Sequence, residues 1–69
     1  MKVFEIIDYC GNNVGYVNAN NEKQALCMYL MNHEELIDVM LWRAPSGLWK
    51  LAKYNEEDFF MYARCIYDV

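Results

Sequence analysis

The sequence has little of what most functional signatures need. No apolar run approaches the roughly 18 residues of a membrane-spanning helix, and Met1-Lys2-Val3-Phe4-Glu5 enters an alternating strand rather than the apolar segment of a signal peptide. A cytoplasmic protein without a membrane partner is expected. The three cysteines, Cys10, Cys27 and Cys65, are odd in number and lack Cys-x-x-Cys spacing. That argues against a disulfide framework and against zinc alike, and favours reduced structural thiols. Basic residues are scarce and scattered: six Lys and Arg stand against ten Asp and Glu, a formal charge of −4. Nucleic acid and anionic membranes are therefore not the expected partners, because the net electrostatic term is repulsive. His33 is the only histidine, and no Ser-His-Asp or Cys-His arrangement can be built around it. A non-enzymatic protein with no cofactor and no metal is expected.

Apolar and aromatic material, in contrast, is plentiful. At 69 residues and 57% hydrophobic, with six Tyr, five Met, three Phe and two Trp, the chain is one domain that buries roughly 60% of the surface of its unfolded state. A core of that size cannot hide all of these side chains. The remainder lies at the surface, and a contiguous patch of it favours a partner or a homodimer.

Two hairpin-plus-helix units, about 1–34 and 35–69, are legible. Val3–Tyr9 and Val14–Ala19 are rich in strand formers and flank the turn residues Gly11-Asn12-Asn13. A two-residue Gly11-Asn12 loop pairs Ile6 with Val17 and Phe4 with Ala19, and sets these four on one core-facing side. Asn20 or Asn21 caps a helix running to about His33, with Ala25, Leu26, Tyr29 and Leu30 as its buried stripe. Leu36–Arg43 and Leu48–Tyr54 form the second hairpin around Pro45-Ser46-Gly47, where Gly closes a three-residue loop. That register pairs Leu41 with Leu51 and Val39 with Lys53, and puts Ile37, Val39, Leu41, Trp49 and Leu51 on the core side. Thirty-four residues after Asn21, Asn55 repeats the junction, so Asn55-Glu56-Glu57-Asp58 reads as the start of a second helix with Phe59, Phe60, Ala63, Ile66 and Tyr67 buried. The expected fold is α+β, ββαββα, with an antiparallel sheet and both helices on one face.

With these registers Ile7, Tyr9, Val14, Tyr16, Met40 and Trp42 face away from the helices, beside Glu5, Asp38 and Lys50. Tyr and Trp are enriched at protein interaction hot spots, so Tyr9, Tyr16, Met40 and Trp42 are candidate partner-binding residues. Aromatics on an open sheet also stack single-stranded bases, but the basic rim such a surface needs is missing. The acids Glu56, Glu57 and Asp58 are a second candidate contact, although a helix dipole accounts for acids in a first turn. Glu34, Glu35 and Asp38 solvate a loop. Cys27, Met28 and Met31 on the first helix, with Met61 and Cys65 on the second, give each helix an apolar back suited to an adaptable contact. His33 is placed to meet the last carbonyls of the first helix.

The hairpin followed by Gly15-Tyr16-Val17-Asn18-Ala19-Asn20-Asn21-Glu22-Lys23-Gln24-Ala25-Leu26 resembles the opening of many small uncharacterised proteins of phages and mobile elements in low-GC Gram-positive bacteria, and seven Asn and six Tyr suit an AT-rich genome. The likeness covers about residues 1–31. In size, acidity and surface aromatics the chain is similar to anti-CRISPR inhibitors, and that resemblance implies a compact acidic binder that blocks a site on a host nuclease complex. Three readings follow: a protein-binding inhibitor, a homodimeric accessory domain whose aromatic sheet face is its own interface, and a single-strand nucleic-acid binder using Tyr9, Tyr16 and Trp42.

Overall fold

The computed structural model describes residues 1–68, apart from the side chain of Glu57. Its elements are β1 (Lys2–Ile7), β2 (Asn13–Ala19), α1 (Glu22–Met31), β3 (Val39–Arg43), β4 (Trp49–Lys53) and β5 (Glu56–Asp68). The strands form one antiparallel sheet in the order β2-β1-β5-β4-β3. The expected ββαββα fold is corrected: a small β-rich domain with one short helix stands in its place.

The correction lies in β5. Asn55 does not cap a helix; Tyr54 and Asn55 turn the chain so that Lys53 pairs with Glu56, and the segment after it runs extended through the sheet centre between β1 and β4. Its two phases, Phe59, Met61 and Ala63 on one side and Phe60 and Tyr62 on the other, are both apolar, so the alternation is masked. Phe59, Met61 and Ala63 turn to the core, while Phe60, Tyr62 and Arg64 turn to the other side, in step with Leu51 opposite Met61 and Glu5 opposite Arg64. Aromatic side chains also fit a pleated surface better than a helix interior.

The two hairpins follow the sequence more closely. The second has the expected register, with Leu41 opposite Leu51 and Val39 opposite Lys53. The Ala44 N–H donates to Leu48 O and the Gly47 N–H to Ala44 O, both at 2.8 Å, with Gly47 at φ +93°. In the first hairpin the expected two-residue loop is replaced by the same construction: Asp8 N–H to Asn12 O and Gly11 N–H to Asp8 O at 3.0 Å, with Gly11 at φ +83°. Asp8 selects this longer loop because its Oδ1 accepts from the N–H groups of Cys10 and Asn12, each at 2.9 Å. The register moves by two residues, Phe4 opposite Val17 and Ile6 opposite Gly15. A shift of two preserves the face, so Phe4, Ile6, Val17 and Ala19 still point to the core.

Asn21 is the N-cap of α1. Its Oδ1 accepts from the Gln24 N–H at 2.8 Å, and Gln24 Oε1 accepts from the Asn20 N–H at 2.7 Å. Ala25, Leu26 and Tyr29 are buried against one sheet face, together with Phe4, Ile6, Leu51, Met61 and Ala63, and Leu30 packs beside them. His33 stacks on Tyr29 with ring centroids 3.9 Å apart and places Nδ1 3.0 Å from Tyr29 O, which closes the helix end as expected. Ile37 is 69% exposed rather than part of the core. Asp38 follows at φ +59° and restarts the strand alternation at Val39, which drops Ile37 from the pattern.

The chain leaves β2 at one sheet edge and enters β3 at the other, so α1 crosses a single face. Five strands span roughly 19 Å across the sheet and a ten-residue helix is about 15 Å long. One helix covers one side, and no element of the described residues lies over the other.

A candidate interaction face on the open sheet

The uncovered face is built by strand parity. From one edge to the other it presents Tyr16 of β2, Glu5 and Ile7 of β1, Arg64, Tyr62 and Phe60 of β5, Lys50 of β4, and Trp42 and Met40 of β3, with lateral pairs Tyr16–Glu5, Glu5–Arg64, Ile7–Tyr62, Tyr62–Lys50 and Lys50–Trp42. The Lys50 ammonium lies 4.5 Å from the Trp42 ring centroid and 5.5 Å from that of Phe60, and Phe60 and Tyr62 stand parallel at 6.4 Å. Leu48, Lys50, Phe60 and Tyr62 line a shallow apolar groove of ≈ 210 Å³.

Next to this aromatic half the face carries one buried charge. Glu5 is 8% exposed. Its Oε2 accepts from Asn13 Nδ2 at 3.0 Å. Its Oε1 is fully covered and accepts no aligned hydrogen bond, but the Arg64 guanidinium lies against it in an ion pair. A buried carboxylate without a cation is costly, so Arg64 holds this part of the surface together while its own side chain stays 66% exposed.

The candidate residues separate into two groups. Tyr16, 67% exposed, and Trp42, 41% exposed, lie on the open face with Met40, as expected. They stand at opposite edges with three strands between them. Tyr9 does not join them: it sits in the β1–β2 loop with its ring 5.8 Å from Phe59, which packs against the core on the helix side. Ile7 is buried rather than exposed. Glu56 and Asp58 are exposed near the β4–β5 turn, where with Tyr9, Asn55 and Phe59 they border an open depression of ≈ 420 Å³. Glu56 is 3.6 Å from Lys53. The Glu57 side chain lies outside the described residues. The expected helix backs are corrected likewise, since Met61 is a core residue and Cys65 is on a strand, while Met28 and Met31 remain exposed on α1.

Phe60, Tyr62 and Arg64 are the residues that sequence reasoning missed on this face. Their signal is the period-2 reading of Phe59 to Arg64, hidden because both phases are largely apolar.

Most of the cations are engaged: Lys23 and Arg43 lie over Trp49, Lys50 over Trp42 and Phe60, Lys53 over Phe59, and Arg64 against Glu5. Among the described residues no three acidic, histidine or cysteine side chains converge as metal ligands, and no helix is long and apolar enough to cross a membrane. Compared with protein-family models, with curated proteins and with solved structures, the chain matches none.

Proposed function

We propose that this protein is a non-enzymatic protein-binding module acting in the cytoplasm, and that the open sheet face is its contact surface. The observation that carries the reading is the apolar groove lined by Leu48, Lys50, Phe60 and Tyr62, with Trp42 beside it under Lys50, on a face that no other described element covers. Such a surface desolvates readily and offers rigid aromatic anchors with little conformational entropy to lose. A protein partner fits better than single-stranded nucleic acid. Of the two cations on this face, Arg64 is neutralised by Glu5 and Lys50 is seated on aromatic rings, so little positive charge is left to follow a phosphate backbone.

The finer reading is an inhibitor carried by a phage or mobile element and directed at a host defence nuclease complex of the CRISPR type. Small size, net acidity and surface aromatics support it. With the helix gone, a helix dipole no longer accounts for Glu56, Glu57 and Asp58, but Glu56 and Asp58 sit at the turn end of the sheet beside Tyr9, away from the groove. The aromatic face therefore carries the affinity, and the acids act on association rate. Affinity capture from a host lysate tests this. Wild-type bait should retain a protein that Trp42→Ala with Phe60→Ala bait loses, while Glu56→Lys bait retains it. Equal retention by the aromatic double variant, with its fold confirmed by circular dichroism, would remove the face from the proposal.

A further inference from the structure

The sheet ends in two unlike edges. β2 is irregular, with its pairing shifted at Ile6/Ile7 and with Asn13, Gly15 and Asn18 along it. β3 is regular: Val39 to Arg43 pair one-to-one with β4, without a bulge, a proline or a lysine. Edge strands are ordinarily blunted by such devices because their free backbone groups template further pairing.

Antiparallel hydrogen-bond alternation identifies those free groups. The Ala44 N–H donates to Leu48 O, so Ala44, Trp42 and Met40 direct their backbone groups toward β4. Val39, Leu41 and Arg43 direct theirs outward. The same edge is apolar, with Met40 and Trp42 exposed on the open face and Ile37 exposed just before the strand. On the helix side α1 reaches β3 least of all the strands.

We propose that β3 pairs antiparallel with β3 of a second copy of this chain, about a two-fold axis at Leu41, making one continuous sheet across the dimer. The strand is self-complementary about that residue. Leu41 meets Leu41, and Val39 meets Arg43, each exchanging both backbone bonds, while Met40 meets Trp42 on the open face, a favourable sulfur–aromatic pair. The charges agree too. Arg43 of one copy arrives one position from Asp38 of the other, and this happens at both ends by symmetry. Registers centred on Met40 or Trp42 pair fewer outward-directed residues. The pairing also joins the two open faces, so the aromatic side chains of both copies meet at the seam.

Two measurements test it together. The 8.2 kDa chain should sediment at twice its mass at high concentration. Amide exchange should then show a concentration-dependent slowing at Val39, Leu41 and Arg43, alternating with Met40 and Trp42, which are protected at every concentration. Leu41→Pro removes the central donor on the side away from β4, and Arg43→Asp sets like charges against Asp38; each should weaken dimerisation at least tenfold in a folded chain. A wild type that remains 8.2 kDa at every concentration overturns the proposal. So does a dimer without the alternating protection, which would mean contact through the sheet face, or protection that appears only when another protein is added. Failure here leaves the sheet-face reading standing, because Tyr16→Ala probes that face at the opposite edge without touching β3.

Discussion

At the level of single residues, the least dispensable polar contact is Glu5 with Arg64. Glu5 sits in β1 among Phe4, Ile6 and Ile7, all buried, and its charge is compensated by a guanidinium and one amide. Arg64→Ala should cost about 1–3 kcal/mol, below the range for a fully enclosed pair because Arg64 is largely solvated. Adding Glu5→Leu should recover most of that loss, since an apolar side chain at this position needs no partner. Urea denaturation of the single and double variants measures both. Tyr29 supplies a second residue-level expectation. Burial raises its phenol above the ordinary 10.0, and the charges of Glu35 and Asp8 raise it further. The folded state holds the proton more tightly than the unfolded state, so this contribution is fully present below pH 10 and is lost as pH rises through the folded-state value. Tyr29→Phe should flatten the fall in melting temperature above pH 10. An unchanged alkaline profile would mean that Tyr29 does not link folding to that titration. Gly15 belongs with this residue, because a Cβ there would lie 3.4 Å from Tyr29 Cε1, in ordinary van der Waals contact with the ring that covers it.

At the level of elements, Asn21 and Asn55 look alike in sequence and do different things. Asn21→Ala removes an acceptor for a helix N–H and should cost about 1 kcal/mol. Asn55→Ala, in a hairpin turn, should stay within about 0.5 kcal/mol, as surface changes usually do. Thermal melts of the pair distinguish them, and equal losses would contradict the strand assignment of β5. The difference explains what was legible. Hairpin faces and the cap of α1 could be read because Asn21, Gly11 and Gly47 have specific backbone roles, whereas the Asp8 side chain that sets the length of the first loop was not read. β5 could not, because both phases of Phe59 to Ala63 are apolar, one of them on the open face, and Asn followed by acids serves a turn as well as a helix start. The candidate site followed the same rule. Tyr16, Met40 and Trp42 lie on hairpin strands whose phase follows from the adjoining turns, whereas Phe60, Tyr62 and Arg64 are on β5, within the segment expected as a helix. Tyr9 left the face because Asp8 lengthened the loop.

For the whole molecule, the strand order β2-β1-β5-β4-β3 and one crossing helix leave one sheet face without cover. Part of that face is sealed by its own side chains, as the burial of Ile7 and Glu5 shows. The other part stays open as a groove lined by Leu48, Lys50, Phe60 and Tyr62, with Trp42 beside it. Leu26, Leu51, Phe4 and Ile6 fill the small core, and the surplus apolar material is divided between this face and exposed side chains such as Met28, Met31, Ile37 and Tyr54. Replacing Trp42 and Phe60 together by Ala should lower affinity for a captured partner by about 2 kcal/mol or more, roughly thirtyfold in Kd, mostly through a faster off-rate. Surface plasmon resonance reads this, and a change confined to the on-rate would transfer the binding role to the acids. The most direct measurement is a cross-saturation NMR footprint of the labelled chain bound to the protein that capture recovers. The account predicts attenuation at Trp42, Lys50, Phe60 and Tyr62, extending toward Tyr16, with Met28, Met31, Glu56 and Asp58 unaffected. Attenuation centred on Met28 and Met31, or on Glu56 and Asp58, with the open face silent, would contradict it.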